Sequence, residues 1–179
     1  FTQKSKTVRD SKNHKILMCK SCGHIQIYPI PTLTEERKFY DDNKQEKNLN
    51  IKQNISDIKK KSMNDTNRRV KLVSELVKKN ERIVEIGSGY GLFLEGIRKK
   101  SKNVIGVEIS REKREIAKMI TKVQILDINI LEKKTTIPKA DVIVLFHVLE
   151  HISEPVRFLK KLKSMLKING RIVIEVPNF

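Results

Sequence analysis

The segment VEIGSGYG, residues 84–91, decides the fold class of this chain. It continues the apolar run RIVEI and precedes the run LFLEGI, so its glycines lie between a predicted strand and a predicted helix. Glycine lets a backbone turn tightly and approach a ligand closely. The amino end of the helix that follows offers free N–H groups and a positive dipole. The pattern therefore predicts a ligand-binding loop at the carboxyl end of a buried strand.

Short apolar runs alternate with amphipathic stretches through the rest of the chain, from residue 81 to residue 179. The apolar runs predict strands at RIVEI (82–86), NVIGVEI (103–109), VQILDI (123–128), DVIVLFHV (141–148) and RIVIEVP (171–177). The stretches between them predict helices at residues 92–100, 110–120 and 156–167. Strands alternating with helices indicate an α/β fold built on a doubly wound, Rossmann-like parallel sheet.

Capping residues support two of these helices. Ser110 is placed to cap the amino end of the second helix, and Asn169-Gly170 is placed to end the third. A further helix is predicted upstream within residues 55–79, where apolar side chains form a stripe. We expect this helix to pack on the sheet and to frame the ligand pocket.

Changes in composition along the chain indicate two domains. Residues 1–33 indicate an irregular segment, and residues 34–80 are highly charged with a helical pattern. We therefore predict a small amino-terminal region over residues 1–54 that is partly irregular and partly helical. The ligand-binding core is predicted over residues 55–179.

The spacing of the glycines separates this loop from a dinucleotide-binding loop. A GxGxxG fingerprint requires glycine at position 92, where this chain has Leu92, so the spacing here is GxGxG. Glu85 precedes the first glycine by two positions and lies at the end of the strand. An anionic side chain at that point suits a cationic ligand better than a pyrophosphate.

This segment resembles motif I of the class I S-adenosylmethionine (SAM)-dependent methyltransferases. The resemblance extends over about residues 70–179, because Glu108 and Asp127 close the next two strands and the fourth strand leads into FHVLEH (146–151). Class I domains have seven strands, and this chain ends after the fifth predicted strand, so we expect part of the substrate pocket to be missing from it.

The resemblance implies a set of residues that bind SAM. Glu108 would accept both ribose hydroxyls, Asp127 would meet the adenine amino group, and Ile128 would flank the adenine ring. The implied cofactor-binding residues are Glu85, Gly87, Ser88, Gly89, Tyr90, Gly91, Glu108, Ile109, Asp127, Ile128, Phe146 and His147.

His147 and His151 are the candidate catalytic residues. Either imidazole could act as a general base beside the sulfonium. The alternative is structural: His147 would shape the pocket through its backbone, and His151 would cap or pack the next helix. Four positions apart on a helix the two could also share one face, as in a metal pair, but no third ligand is evident. The pattern favours the structural roles.

The amino-terminal segment CKSCGH contains Cys19 and Cys22, the candidate metal ligands. A structural zinc site requires four ligands, and only His14 and His24 could complete the set. The sequence therefore favours two reduced thiols over a zinc site. The run C-x-x-C-G followed by Pro29–Pro31 and the segment Glu35–Tyr40 is similar to one found in many sugar-tailoring methyltransferases.

The formal net charge of +17 raises the question of an anionic partner. A nucleic acid, a phosphorylated substrate or an anionic membrane would be attracted by such a charge. Lysines are spread over several helices and loops, however, and no aromatic residues are interleaved with them. The sequence therefore favours a compositional origin for the charge.

Together these features predict a cytoplasmic enzyme without a membrane span. We expect methyl transfer from SAM to an O or N (possibly C) nucleophile of a small molecule, such as a sugar or sugar-linked intermediate. The alternatives are an RNA or protein methyltransferase, and a SAM-binding remnant without turnover.

Overall fold

The structure, a computed structural model, describes residues 2–5, 14–32, 34, 35, 38, 55–131 and 137–177. The chain divides into two compact units, Phe1–Lys52 and Gln53–Phe179. Most of the segment Glu35–Tyr40 lies outside the described residues.

The amino-terminal unit contains a three-stranded antiparallel sheet. Its strands are β1 (Thr2–Ser5), β2 (Lys15–Met18) and β3 (Ile25–Tyr28), in the order β1-β2-β3. The prediction of an irregular segment over residues 1–33 was wrong here. The runs KILM and IQIY are too short to show a clear period, yet they pair in register, with Ile16 opposite Ile27. The CxxC segment forms the turn between β2 and β3.

The carboxy-terminal unit contains a five-stranded parallel sheet. Its strands are β4 (Ile83–Ile86), β5 (Val104–Glu108), β6 (Gln124–Asp127), β7 (Ala140–Phe146) and β8 (Leu166–Glu175). Their order is β6-β5-β4-β7-β8, so the chain begins at the centre and winds outward in both directions. This arrangement confirms the predicted α/β, doubly wound, Rossmann-like fold.

Helices cover both faces of the sheet. They are α1 (Ile55–Leu76), α2 (Leu92–Ile97), α3 (Arg111–Thr121) and α4 (Pro155–Ser164), with short 3-10 helices at Ile128–Leu131 and Leu149–His151. The predicted N-cap is confirmed, since the Ser110 hydroxyl accepts a hydrogen bond from the Lys113 N–H. Val73 of α1 is fully buried in the core, which confirms that α1 packs on the sheet.

The predicted carboxyl end of the last helix was wrong. Helix α4 ends at Ser164, and β8 begins two residues later at Leu166. The register against β7 is irregular there, because Ala140 pairs with Leu166 whereas Val142 pairs with Arg171. Asn169, with φ 63°, lies within this irregularity and does not cap the helix.

The central strands β4 and β7 contribute side chains to an apolar core on each face of the sheet. Successive residues face opposite sides: Ile83 and Val142 belong to the apolar cluster that includes α1 and α2, whereas Val84 and Ile143 belong to the cluster that includes α4. Because both faces are covered, these strands are apolar at nearly every position. Across the described residues, no helix combines the length and apolar character that crossing a bilayer requires.

Candidate functional site

The glycine loop lies at the carboxyl edge of the sheet, the edge where all five parallel strands end. Gly87, Gly89 and Gly91 have φ values of 74°, 51° and 75°, a region in which side chains are strained. The Gly87 and Ser88 N–H groups donate to the Val107 carbonyl of β5, at 2.8 and 3.0 Å, which ties the loop to the neighbouring strand. The loop is thus fixed by its own backbone before any ligand binds.

The three glycines are required for different reasons. A Cβ on Gly87 would lie 2.4 Å from the Val148 side chain, and one on Gly91 would lie 2.8 Å from Thr121 Cγ2. A Cβ on Gly89 would have none of the described heavy atoms within 4 Å. Gly87 and Gly91 therefore permit packing, whereas Gly89 faces open space at the edge of the sheet.

Two buried oxygens lie beside this loop. Glu85 is 5% exposed and Ser88 is 6% exposed. Within the part of the chain that the structure describes, Glu85 Oε2 and Ser88 Oγ have no hydrogen-bond partner. Burial raises the pKa of the Glu85 carboxyl well above its usual value, and the positive charge of Arg69 opposes this shift. Leaving such an oxygen without a partner costs about 1–3 kcal/mol, so both oxygens are available to a donor from outside the protein.

Glu108 is held by backbone N–H groups. Its Oε2 accepts from the Gly89 N–H at 2.7 Å, and its Oε1 accepts from the Ser110 N–H at 2.9 Å. The side chain is 6% exposed. Because each carboxylate oxygen can accept a second hydrogen bond, this fixed carboxylate keeps the capacity to bind two further hydroxyl groups.

Asp127 pairs with Glu108 in the register of β6 on β5, so their side chains leave adjacent strand ends. Its Oδ1 accepts from the Asn129 N–H at 2.8 Å, and its Oδ2 lies 2.7 Å from Arg114 Nη2. Ile109 and Ile128, which follow the two acids in the chain, are half-buried. These residues form an apolar and acidic strip along the carboxyl edge.

The two histidines do not share a helix face, and that part of the prediction was wrong. His147 has φ 55°, a left-handed conformation in the turn between β7 and the 3-10 helix Leu149–His151, so it lies outside that helix. His147 Nδ1 lies 3.4 Å from Glu150 Oε1, and its Nε2 lies 3.4 Å from Glu175 Oε1. His151 is more exposed, with its Nε2 3.9 Å from the same Glu150 oxygen. Of the two, His147 is thus the imidazole flanked by two carboxylates.

Sequence reasoning missed an ion cluster beside His147. Glu175, at the end of β8, lies 2.8 Å from Arg68 Nη1 and 2.6 Å from Arg69 Nη2. The hydrogen bond from Arg68 is the largest cause that lowers the pKa of Glu175, to about 2. Arg68 and Arg69 lie on α1, more than 100 positions away, so no local pattern pointed to the pair. A charged residue ending a strand was the only available signal.

Aromatic rings lie at the ends of the two central strands. Phe146 packs edge-on against Phe93 with centroids 5.0 Å apart, and the Arg69 guanidinium lies 4.9 Å from the Phe146 centroid. Lys113 Nζ lies 5.6 Å from the ring centroid of Tyr90, which belongs to the glycine loop. Two aromatic rings, Tyr90 and Phe146, thus lie at the centre of the carboxyl edge.

The CxxC turn forms a separate feature in the amino-terminal unit. Cys19 Sγ lies 3.0 Å from Ser21 Oγ, and this hydrogen bond is the largest cause that lowers the pKa of Cys19 to about 6. Among the described residues, no group of three or more His, Cys, Asp or Glu side chains could hold a metal ion. The described ligands therefore do not fit a closed zinc site.

Comparisons with known proteins agree with this geometry. The methyltransferase domain family matches residues 58–179. The ubiquinone biosynthesis O-methyltransferase of Coxiella burnetii is 28% identical over 111 residues, which cover 58% of this chain and 47% of that protein. The enzyme of the same name from Pelagibacter ubique is 31% identical over 108 residues, covering 56% and 43%. The chain thus spans about half the length of the curated relatives it matches.

The fold is shared with solved methyltransferases. CalS10, an amino pentose methyltransferase from Micromonospora echinaspora solved with SAM bound, aligns with a TM-score of 0.58 at 14% identity. The alignment covers 72% of this chain and 58% of that one. At this identity the likeness shows the fold alone. The family match itself extends over more than half of the sequence, and the chain therefore belongs to the class I SAM-dependent methyltransferases.

Proposed function

We propose that this chain binds SAM along the carboxyl edge of its sheet and transfers the methyl group to a hydroxyl oxygen of a small molecule. The observation that carries the proposal is the pair of buried oxygens, Glu85 Oε2 and Ser88 Oγ, beside a preformed glycine loop. Buried polar atoms are nearly always hydrogen-bonded, and beside a glycine loop a bound ligand can provide the missing donors. The SAM ammonium is a donor of that kind.

The remaining contacts would follow the strand ends outward. Glu108, fixed by the Gly89 and Ser110 N–H groups, would accept from the ribose hydroxyls. Asp127 on the adjacent strand would accept from the adenine amino group, with Ile109 and Ile128 against the ring. Phe146 and the His147 backbone would bound the methionine end, and Tyr90 and Gly91 would complete the loop around it.

When bound, SAM supplies a methyl group that its sulfonium has already activated, so the protein has no leaving group to create. The tasks left to the chain are to align the acceptor and to exclude water. In the transfer, the acceptor oxygen forms a bond to the methyl carbon while the carbon–sulfur bond breaks, and the hydroxyl proton passes to a base. We assign that base to His147 rather than His151. One ring nitrogen of neutral His147 would take the proton, and the carboxylates of Glu150 and Glu175 would stabilise the imidazolium that forms.

Two arguments favour oxygen as the acceptor atom. The curated relatives are named O-methyltransferases. A base held between two carboxylates is useful for a hydroxyl acceptor, whereas an unprotonated amine needs none. The acceptor class is a small hydroxylated molecule, and a sugar or a sugar-linked intermediate belongs to that class.

Calorimetry with SAM and with its demethylated product, S-adenosylhomocysteine (SAH), tests the binding step. We expect micromolar dissociation constants, about −8 kcal/mol. NAD is the control ligand, since it needs the GxGxxG spacing that this loop lacks. Binding of NAD without SAM would contradict the proposal.

Turnover is tested separately with methyl-labelled SAM and a panel of hydroxylated and amino acceptors. Transfer to hydroxyl groups that is lost in His147→Ala, with SAM affinity retained, would support the assigned base. SAM binding without transfer to any acceptor would identify a binding protein instead of an enzyme.

A further inference from the structure

The carboxyl edge contains one cation that bridges two neighbouring strands. Arg114, on the first turns of α3, donates from Nη1 to the carbonyls of Glu108 and Ile109, at 2.9 and 2.6 Å. From Nη2 it contacts Asp127 Oδ2 at 2.7 Å. One guanidinium thus joins the end of β5 to the carboxylate at the end of β6.

We propose that Arg114 is a positioning residue that sets the selectivity of the site for the adenine base. The inference rests on the proposed function, because it concerns the adenosine half of the same SAM site. It assigns to Arg114 a role that neither the glycine loop nor the strand-end acids perform.

The first argument is geometric. Asp127 is 40% exposed, so little packing holds its carboxylate in one orientation. The Asn129 N–H binds Oδ1 at 2.8 Å, and Arg114 binds Oδ2. These two donors from different directions fix the plane of the carboxylate. A carboxylate with two oxygens held in this way retains further lone pairs, which can accept from a ligand.

The second argument is the choice of side chain. Arg114 is 13% exposed, so its charge lies largely outside water and beside the carboxylate of Asp127. Its planar fork reaches two carbonyls and one carboxylate at once. A lysine ammonium is a compact point charge on a flexible stem and cannot span the same three acceptors in a fixed geometry. The bridge therefore requires arginine.

The third argument concerns what the bridge connects. The carbonyls that Arg114 binds belong to Glu108, the proposed ribose ligand, and to Ile109 beside it. Asp127 is the proposed adenine ligand. Arg114 thus fixes the distance between two subsites that the same nucleoside must occupy. A shift of one strand end relative to the other would misplace the adenine amino group at Asp127 while leaving the ribose bound.

The experiment compares two ligands by calorimetry: SAH, and its purine analogue, in which hydrogen replaces the adenine amino group. Asp127 would accept from the amino group and finds no donor in its place on the analogue, so we expect wild type to prefer SAH by roughly ten-fold or more. Arg114→Lys should reduce this preference to within about two-fold, and so should Asp127→Ala. A merely structural role for Arg114 would weaken both ligands equally and leave their ratio unchanged.

The matched control is Arg111→Lys. Arg111 lies on the same helix, is exposed, and is not assigned to the SAM site. This variant should keep the wild-type ratio. In the double variant Arg114→Lys/Asp127→Ala, the ratio should equal that of Asp127→Ala alone, because Arg114 acts through Asp127.

Several outcomes would overturn the inference. If Arg114→Lys keeps the wild-type ratio of the two affinities, Arg114 does not position Asp127, and the inference fails while the proposed function stands. If Arg114→Lys is unfolded in a thermal melt, Arg114→Gln is measured in the same way. If Arg114→Gln is unfolded too, the residue belongs to the fold and not to base selectivity. If wild type binds neither ligand, the proposed function fails, and this inference fails with it.

Discussion

The carboxyl edge of the sheet has two halves that are built differently. At the ends of β5 and β6, acidic side chains accept hydrogen bonds from backbone N–H groups: Glu108 from Gly89 and Ser110, and Asp127 from Asn129. At the end of β4, Glu85 lies buried beside them. At the ends of β7 and β8, charged side chains hold one another: Glu175 contacts Arg68, Arg69 and His147. We call these the cofactor half and the acceptor half.

The difference concerns what each half must do. Backbone N–H donors remain when a side chain is exchanged for any residue but proline, so we expect the cofactor half to keep its geometry in most variants. Side-chain ion pairs can be exchanged singly, so the acceptor half can change with the acceptor. Partly exposed charges also respond to salt and pH, which buried backbone contacts resist. We therefore expect the two halves to respond differently to substitution.

The largest effect is expected from Gly89→Val, which breaks the cofactor half at its centre. The added side chain would occupy the open space in front of the loop and strain the backbone at φ 51°. SAM affinity should fall by at least about 100-fold while the core stays folded. Calorimetry and a thermal melt on the same variant give both quantities.

Gly91→Val is the matched control for that change. Its Cβ would meet Thr121 and Ala117 inside the fold, so thermal stability should fall first. A folded Gly89→Val protein that binds SAM normally would place the pocket elsewhere, and the assignments of Glu85, Glu108 and Asp127 would fail with it.

The ion pairs of the acceptor half should be lost in acid. The pKa of Glu175 is lowered to about 2 in the fold from 4.5 in the unfolded chain. Its ion pairs therefore stabilise the fold fully above pH 4.5, and this stabilisation is lost as the pH falls from 4.5 toward 2. Glu175→Gln should cost about 2–3 kcal/mol at neutral pH, with a shallower acid limb. Urea unfolding across this pH range measures both. The exposed Glu115→Gln should change little, and an equal loss there would contradict the assignment.

A smaller effect is expected at the boundary of the loop. Glu108→Gln keeps the shape of the side chain but exchanges one acceptor oxygen for a donor. One of the Gly89 and Ser110 N–H groups then loses its partner, and the ribose loses an acceptor. SAH affinity should fall roughly ten-fold, about 1.4 kcal/mol, in a calorimetric titration. Unchanged affinity would remove Glu108 from the site.

The smallest expected effect is a gain in stability. Burial raises the pKa of Glu85, so its ionised form destabilises the fold increasingly as pH rises from 4.5 toward the raised value. Glu85→Gln is neutral at every pH and should raise the unfolding free energy by about 1 kcal/mol near neutral pH. Affinity for SAM should fall at the same time. A thermal melt showing lost stability would argue that the carboxylate has a structural partner.

The cofactor half was largely predictable from the sequence, and the acceptor half was not. Glycine spacing, apolar runs and strand-end acids are local signals, and they predicted the sheet and placed Glu85, Glu108 and Asp127 at its carboxyl edge. The contact of Arg69 with Glu175 joins residues 106 positions apart, so no local period reports it. His147 has a left-handed backbone because the chain turns where β7 ends. Histidine as a residue type does not predict such a conformation.

The other errors have the same cause. Leu166 and Lys167 were predicted to end a helix because Leu166 fits its apolar spacing, yet Leu166–Glu175 pairs with β7 as a strand. Tertiary pairing overrides helical propensity there. The short strands β2 and β3 likewise depend on each other, since neither run is long enough to indicate a strand alone.

The hydrogen bond with Ser21 makes the Cys19 thiol a site for selective labelling. With a pKa of about 6, Cys19 is mostly thiolate at neutral pH, and the thiolate is the form that alkylating reagents attack. Iodoacetamide should therefore modify Cys19 with a rate that rises through pH 6, and Ser21→Ala should move that rise to higher pH. A fluorophore attached in this way would label the amino-terminal unit while leaving the carboxyl edge of the sheet unmodified.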